Sequence, residues 1–565
     1  MIKKINTFVL LLLIICSNSF AQKKARHITT HSKAKAATPK VPFVWENANV
    51  YFLLTDRFNN GDKTNDHTFN RNKETGKLRG FEGGDIRGVI QKLDEGYFDK
   101  LGTTVIWMTP IVEQIHDGVD EGTGLTYGFH GYWTRDWSSL DPSFGTKKDL
   151  AELVQKAHAK GIRIMLDAVI NHTGPVTSED PVYPNDWVRT SPKCTYNSYD
   201  TYINCTLVDN LPDVKTESNE NVSLPPFLVE KWIKEGRYNE EIKELTDFFT
   251  KTGYPRAPKY YIMKWLSDYI TNYGIDGYRV DTAKHVKEDV WADFRKVCDN
   301  AFAEYKKKNP SKVLDNNPFF MVGEVYGYGI NGKKLYDFGD KKVNYFENGF
   351  TGLINFSFPS DAKMGYEELF SKYSAILNND LKGNTIMNYI SSHDDGNPFD
   401  KKREKTFESA TKLLLAPGIS QTYYGDESGR SLDIAGTQGD ATLRSDMNWD
   451  DLKSNPITAE IALHWKKLSN FRKNHLAIGA GIHSKISSTP YVFSRTYTNN
   501  NINDVVVIGL DLPYGKKEIS VGTIFKDGTK VKDTYSGKTS VVANGIVKFD
   551  TSFTILLVEK NIIAN

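Results

Sequence analysis

From residue 45 to about residue 474, short apolar runs alternate with stretches of helical period. The runs at 50–54, 104–108, 162–169, 277–281, 319–324, 352–357, 385–391 and 419–424 have the length and apolar content of buried strands. Between them lie amphipathic segments such as 147–160, where Leu150, Leu153, Val154 and Ala157 fall on one face and Gly161 marks the stop. Another precedes the fourth run, with Trp265, Leu266, Tyr269 and Ile270 on one face and Gly274 as its terminator. Eight strands separated by helices predict an α/β chain folded as a (β/α)8 TIM barrel. A doubly wound sheet fits less well, because no GxGxxG follows an early strand.

Two departures from this rhythm set the expected domains. Almost ninety residues separate the third run from the helix before Gly274, too many for a loop, so 173–258 is expected to be an inserted domain. The barrel then comprises 46–172 and 259–474. Beyond 475 the period becomes two, as in 491–496, 505–510 and 553–558, with Asn- and Gly-rich turns between. This predicts a C-terminal antiparallel β-sandwich over 475–565.

The N-terminus changes the picture of where the protein works. Lys3 and Lys4 precede the apolar run 8–15, and Ser19-Phe20-Ala21 is a small-x-small cleavage site. Residues 1–21 are therefore expected to be a signal peptide directing export to the periplasm or medium, without stable membrane insertion. Residues 22–45 are rich in Lys and Arg without acids and read as a flexible basic leader. The body that follows is slightly acidic, which offers nucleic acid no attraction. In an oxidising compartment Cys194 and Cys205 are expected to pair across a hairpin, while Cys298, on a helix, stays a buried thiol.

Candidate chemistry lies at the C-terminal ends of the barrel strands, where such barrels carry their sites. Arg279 and Asp281 sit two apart, so on a strand they share a face. A carboxylate held there by an arginine suits an ionised nucleophile. Polar residues end three other runs: Asp167, Asn171 and His172; Glu324; and His393 with Asp394. Two carboxylates with opposed protonation states are what cleavage of a glycosidic bond requires.

The segments LDAVINH, GYRVDTAKH, GEVYG and SSHDD, in that order, resemble the signature segments of the α-amylase superfamily, glycoside hydrolase family 13. LPDV at 211–214 and YYGDE at 423–427 resemble two further segments. Within the family, LPDVKTES and LRSDMNW look most like the periplasmic α-amylases of Gram-negative bacteria. The resemblance implies retaining endo-hydrolysis of α-1,4-glucosidic bonds in starch or maltodextrins, by a monomer with an α-glucan as partner. Asp281 would be the nucleophile, Glu324 the acid/base and Asp394 the acid that binds ring hydroxyls. His172, Arg279 and His393 would serve the sugar being cleaved, and Lys284 with His285 the sugars on the leaving side. In FHGYW, Phe129 stands where the family's stacking tyrosine is expected, with His130 and Tyr132 beside it. A cyclodextrin-acting or transglycosylating enzyme is the alternative, and a non-catalytic glucan-binding relative a further one.

The family analogy also implies Ca2+. Asn171, Asp213 and the backbone oxygen of His285 would hold one ion, with a fourth ligand somewhere in 173–212. A second loop, FNNGDKTND with GGD at 83–85, resembles an N-terminal calcium loop, with Asn60, Asp62, Asn65, Asp66, Gly83 and Asp85 as its ligands. Oxygen donors from distant segments suit calcium's flexible coordination.

Overall fold

A computed structural model describes residues 41–499 and 502–561. The signal peptide, the first part of the leader and Cys16 lie outside the described residues. Eight parallel strands close a barrel: β1 (Asn49–Leu53), β2 (Val105–Met108), β3 (Arg163–Ala168), β4 (Gly277–Val280), β5 (Phe320–Gly323), β6 (Gly352–Asn355), β7 (Thr385–Tyr389) and β8 (Ile419–Tyr423). Each pairs with its sequence neighbours, and β8 closes onto β1 with Phe52 opposite Tyr423. Every residue of these strands is buried, which is why they read as continuous apolar runs.

The helices follow the expected pattern. Helix α1 (Lys147–Ala159) is opened by Thr146 and Asp149, whose side chains satisfy each other's backbone N–H groups. Its stripe Leu150, Leu153, Val154 and Ala157 is buried. Two helices of the inserted segment follow, α2 (Pro226–Lys234) and α3 (Tyr238–Thr252), and then α4 (Pro258–Tyr273). Helix α4 ends at Gly274, whose φ of +75° needs no Cβ and whose N–H caps Ile270 O at 2.9 Å. A Cβ at Gly274 would also fall 2.1 Å from Tyr305 Cζ on helix α5 (Asp289–Lys308). Cys298 on α5 is buried and free, as the sequence predicts.

Residues 173–258 do not stand apart from the barrel: Trp187, Leu228, Trp232 and Leu245 join its apolar core. A ribbon that the sequence does not announce, Val112–Gln114 against Thr134–Leu140, anchors the segment. Lys231 Nζ on α2 lies 2.6 Å from both Glu113 and Asp136 of that ribbon.

Cys194 and Cys205 are disulfide-bonded, but the residues between them form no hairpin. They make one 3-10 turn, Tyr199–Thr201. Thr201 Oγ1 accepts the N–H groups of Asn197 and Ser198 at 2.9 and 3.0 Å, and side-chain capping of this kind displaces strand pairing.

Helix α6 (Pro456–Asn474) leads into the C-terminal part. There six antiparallel strands pair in the order β9-β10-β11-β16-β13-β14. They are β9 (Ile482–Ser488), β10 (Tyr491–Asn499), β11 (Ile502–Leu510), β13 (Lys530–Asp533), β14 (Thr539–Val541) and β16 (Leu556–Lys560). Strands β12 (Gly515–Ser520) and β15 (Ile546–Thr551) form a second sheet. Val492, Val507, Ile519, Val547, Phe549 and Leu556 fill the space between the two, as a β-sandwich requires.

Candidate active site

The site forms at the C-terminal ends of β3, β4, β5 and β7. Adjacent strands bring Arg279 directly opposite Asp167. The barrel ladder continues one residue past each strand: Asp281 N–H donates to Ala168 O at 3.0 Å, and Glu324 N–H to Val280 O at 2.9 Å. These bonds place both carboxylates at the mouth of the barrel.

One buried guanidinium organises the acids. Arg279 Nη1 lies 2.7 Å from Asp281 Oδ1 and 2.9 Å from Asp167 Oδ1, while Nη2 lies 3.0 Å from Glu324 Oε2. Tyr132 donates its hydroxyl to Asp167 Oδ2 at 2.9 Å. The next residue, Thr282, adopts φ +46°, a left-handed turn uncommon for a β-branched residue, and its N–H reaches Glu324 Oε2 at 2.8 Å. Burial pushes Glu324 well above the usual carboxylate range, and repulsion from Asp281 and Asp394 adds to this against the pull of Arg279. Both carboxyls contact the same guanidinium, and Glu324 is the one that burial pushes up.

Asp394 is set differently. Burial alone would raise it, but His393 and Arg444 outweigh burial and hold it well below the usual carboxylate range. Arg444 Nη2 lies 2.6 Å from Asp394 Oδ1 and 2.6 Å from Asp440. His393 Nε2 approaches Asp394 Oδ2 to 2.9 Å, out of line for a hydrogen bond, so that contact is electrostatic. The Asp394 side chain remains 37% exposed, open to a ligand.

The other candidates divide. Tyr132 stacks on His393 with centroids 5.4 Å apart, and His172 Nε2 donates to Tyr132 O at 3.1 Å, so both belong to the cluster. His130 accepts Tyr132 N–H at 3.1 Å, and burial pushes its pKa well below the imidazole range. Phe129 is buried with the Arg57 guanidinium 4.0 Å over its ring. The ring of Phe129, expected from the sequence to stack on the sugar, is thus covered by Arg57 and buried, whereas Tyr132, three residues on, is half-buried. Lys284 Nζ donates to Tyr326 O at 2.9 Å, and burial lowers its pKa to about 8. His285 Nδ1 donates to Tyr202 O at 2.9 Å. Arg444 was not singled out from the sequence, although LRSDMNW contains it. Its role depends on an ion pair fifty residues distant.

The proposed metal ligands can be tested by their donors. One terminal atom of the Asn171 amide lies 3.2 Å from the His285 carbonyl oxygen and 3.3 Å from Asp213 Oδ1. As nitrogen it would donate to both; as oxygen it completes three converging oxygens, the donor set of a calcium. Burial pushes Asp213 up to about 8 in spite of Arg189, so a cation is what would keep it ionised. In the N-terminal loop, Asn60 Oδ1 and Asn65 Oδ1 are buried without partners. A Cβ on Gly83 would fall 2.4 Å from the Asn60 amide and 2.6 Å from Asp66 Oδ1, so the glycine borders a cradle. Both sets fit a calcium. Asp62 and Asp85 fit least, since their carboxylates already accept N–H groups from Thr64 and from Gly61, Asp62 and Gly88. Among the described residues no group of three or more His, Cys, Asp or Glu converges as a metal site.

Comparison with known proteins agrees with this geometry. The family model "Alpha amylase, catalytic domain" matches residues 52–477. The periplasmic α-amylase of Escherichia coli is 36% identical over 497 residues, 78% of this chain and 69% of that protein. The cyclomaltodextrin glucanotransferase of Geobacillus stearothermophilus is 26% identical, over 82% of this chain and 59% of its own length. In fold, the α-amylase of Geobacillus thermoleovorans superposes with a TM-score of 0.63 at 21% identity, over 92% of this chain and all of that one. With its barrel, its paired carboxyls and this match across most of its length, the chain belongs to the α-amylase family and is a glycoside hydrolase.

Proposed function

We propose that the protein is a retaining endo-hydrolase of α-1,4-glucosidic bonds in starch, maltodextrins or related α-glucans. The observation that carries this reading is Arg279, whose two Nη atoms contact Asp281 and Glu324 at 2.7 and 3.0 Å. Retention needs the two carboxyls ~5–5.5 Å apart, and a guanidinium contacted by both is compatible with that spacing. Glu324, held protonated, gives its proton to the glycosidic oxygen as the bond to the leaving chain breaks. Asp281 Oδ attacks the anomeric carbon and forms a glycosyl-enzyme ester. Glu324, now ionised, takes a proton from water, whose oxygen displaces Asp281 and regenerates the acid. Asp394, fixed as an anion, faces the developing positive charge and the ring hydroxyls. Tyr132 offers the sugar ring a stacking face.

Calcium belongs to the same proposal. Asn171, Asp213 and His285 O would hold one ion that ties the inserted segment to the end of β4, and Asn60, Asn65, Asp66 and Gly83 a second. The chain is read as exported through residues 1–21 and acting as a monomer.

The test is the first product. An α-anomer released from maltoheptaose, seen by NMR before mutarotation, is expected, and a β-anomer would refute retention. Asp281→Asn and Glu324→Gln should each keep the fold and lower turnover by about three or more orders of magnitude. The similarity to a cyclomaltodextrin glucanotransferase makes transglycosylation the second reading. Cyclic or elongated products from maltoheptaose would favour it.

A further inference from the structure

The loop after β7 spans 390–405 and carries His393 and Asp394 near its start. Several bonds fix its internal shape. Phe399 N–H donates to Ile390 O at 2.8 Å, and the Tyr389 hydroxyl to Asp395 Oδ2 at 2.9 Å. Asp400 accepts the N–H groups of Glu404 and Lys405 at 2.9 and 2.8 Å. None of these bonds reaches a neighbouring strand, so they do not decide where the loop stands on the barrel.

The neighbouring strand supplies that link through a residue outside the site. Asp426, three residues past the end of β8, is completely buried. Its Oδ2 accepts the N–H of Tyr423 at 3.2 Å, which holds the carboxylate against the last residue of β8. Its Oδ1 accepts the hydroxyl of Ser391 and stands 2.8 Å from Arg403 Nη2. Ser391 is buried three residues before Asp394, and Arg403 lies near the far end of the same loop. One carboxylate oxygen therefore meets both ends of the loop. Arg403 also donates its Nε–H to Arg430 O at 2.7 Å and adopts φ +59°, a backbone conformation uncommon for a residue with a side chain. A carboxylate withdrawn from water is costly unless its partners are fixed. The Asp394 side chain, 37% exposed, is by contrast open to ligand, so its place depends on the backbone beneath it.

We propose that Asp426 is a positioning residue for the reaction: anchored to β8 and bonded to Ser391 and Arg403, it sets where Asp394 stands relative to Asp281 and Glu324. Being buried, it reaches no substrate and acts only through the loop. This rests on the role given to Asp394 above. An anion that faces developing charge does its work in the transition state, so displacing it lowers kcat more than it weakens substrate binding.

The experiment uses the mature full-length enzyme with calcium present. Asp426→Asn keeps the side-chain volume and loses the charge. On maltoheptaose it should lower kcat about ten- to a hundredfold, the cost of a misplacement near 1 Å, and change KM by less than about threefold. Ser391→Ala removes one hydroxyl and should lower kcat about three- to tenfold with little change in melting temperature, and it carries the test if Asp426→Asn does not fold. A nitrophenyl maltotrioside, with its good leaving group, keeps slow variants measurable. On that substrate Asp394→Asn/Asp426→Asn should be within about twofold of Asp394→Asn alone, because the group through which Asp426 acts is already lost. Ser391→Ala should likewise add nothing to Asp394→Asn. Wild-type kcat in the folded single variants, or a fall that persists undiminished in the Asp394→Asn background, would overturn the proposal. Near-normal turnover by Asp394→Asn would instead remove the reading of Asp394 on which it rests.

Discussion

At the scale of the residue, the site works by giving similar acids different surroundings. Glu324 is raised by burial and by its acidic neighbours, whereas Asp394 is held down by His393 and Arg444. The roles proposed for these two acids set the sign of the pH dependence. Glu324 must be protonated, so kcat/KM falls as pH rises through its elevated pKa. Asp394 must be ionised, so activity is retained down to unusually acid pH as far as that group is concerned. Arg444→Met removes the closest cation from Asp394, and the Asp394 pKa should rise towards the ordinary range. The acid limb of kcat/KM should then move to higher pH, with turnover lower by about ten- to a hundredfold, since a hydrogen bond to a charged group is worth about 1.5–3 kcal/mol. An acid limb that stays in place would show that Arg444 does not set Asp394.

At the scale of the element, two features carry stability that can be measured. His475, between α6 and the C-terminal strands, lies 2.8 Å from Asp504 on β11 and 2.8 Å from Glu559 on β16. Burial works against its charge, but the two carboxylates prevail and raise its pKa to about 9. A histidine raised above its unfolded value near 6.5 stabilises fully below that pH, and the stabilisation is lost as pH rises through about 9. The contribution is on the order of 3 kcal/mol. Melting temperature should therefore fall between pH 6.5 and 9, and His475→Gln should flatten that dependence while lowering stability at pH 6. The second feature is Gly274. Gly274→Ala meets both a positive φ and the Tyr305 ring, and should cost about 2 kcal/mol or more by denaturant unfolding, whereas at an exposed helical site the same change stabilises by about 0.4–1 kcal/mol.

At the scale of the whole molecule, β4 and its loop are where the parts meet. His285 joins the end of β4 to the disulfide loop through its ring, and its carbonyl lies 3.2 Å from the Asn171 amide, which in turn lies 3.3 Å from Asp213 Oδ1. Calcium should raise the melting temperature by mass action, since the ion binds the folded form. Asp213→Asn should remove most of that shift, read by calorimetry with and without a chelator. An unchanged melting temperature in calcium would rule out an exchangeable ion at either site.

The amino-acid sequence by itself determined the barrel and its acids. Strands buried on both faces must be continuously apolar, so all eight could be read, and α1 and α4 carried their caps and stripes locally. The pairing of Cys194 with Cys205 was legible too, because an expected signal peptide and the count of cysteines left few alternatives. What the sequence could not decide depends on long-range contact. The ribbon Val112–Gln114 with Thr134–Leu140 is short and polar, and its buried acids meet Lys231 and Arg237 only when the inserted segment packs against it. Phe129 and Tyr132 differ in direction rather than in type, and only the packing of Arg57 shows which ring faces inward. Arg444 reads as an ordinary charge until the fold sets it against Asp394. Local periodicity encodes burial and secondary structure, whereas the partner of a buried charge is chosen only when distant segments close around it.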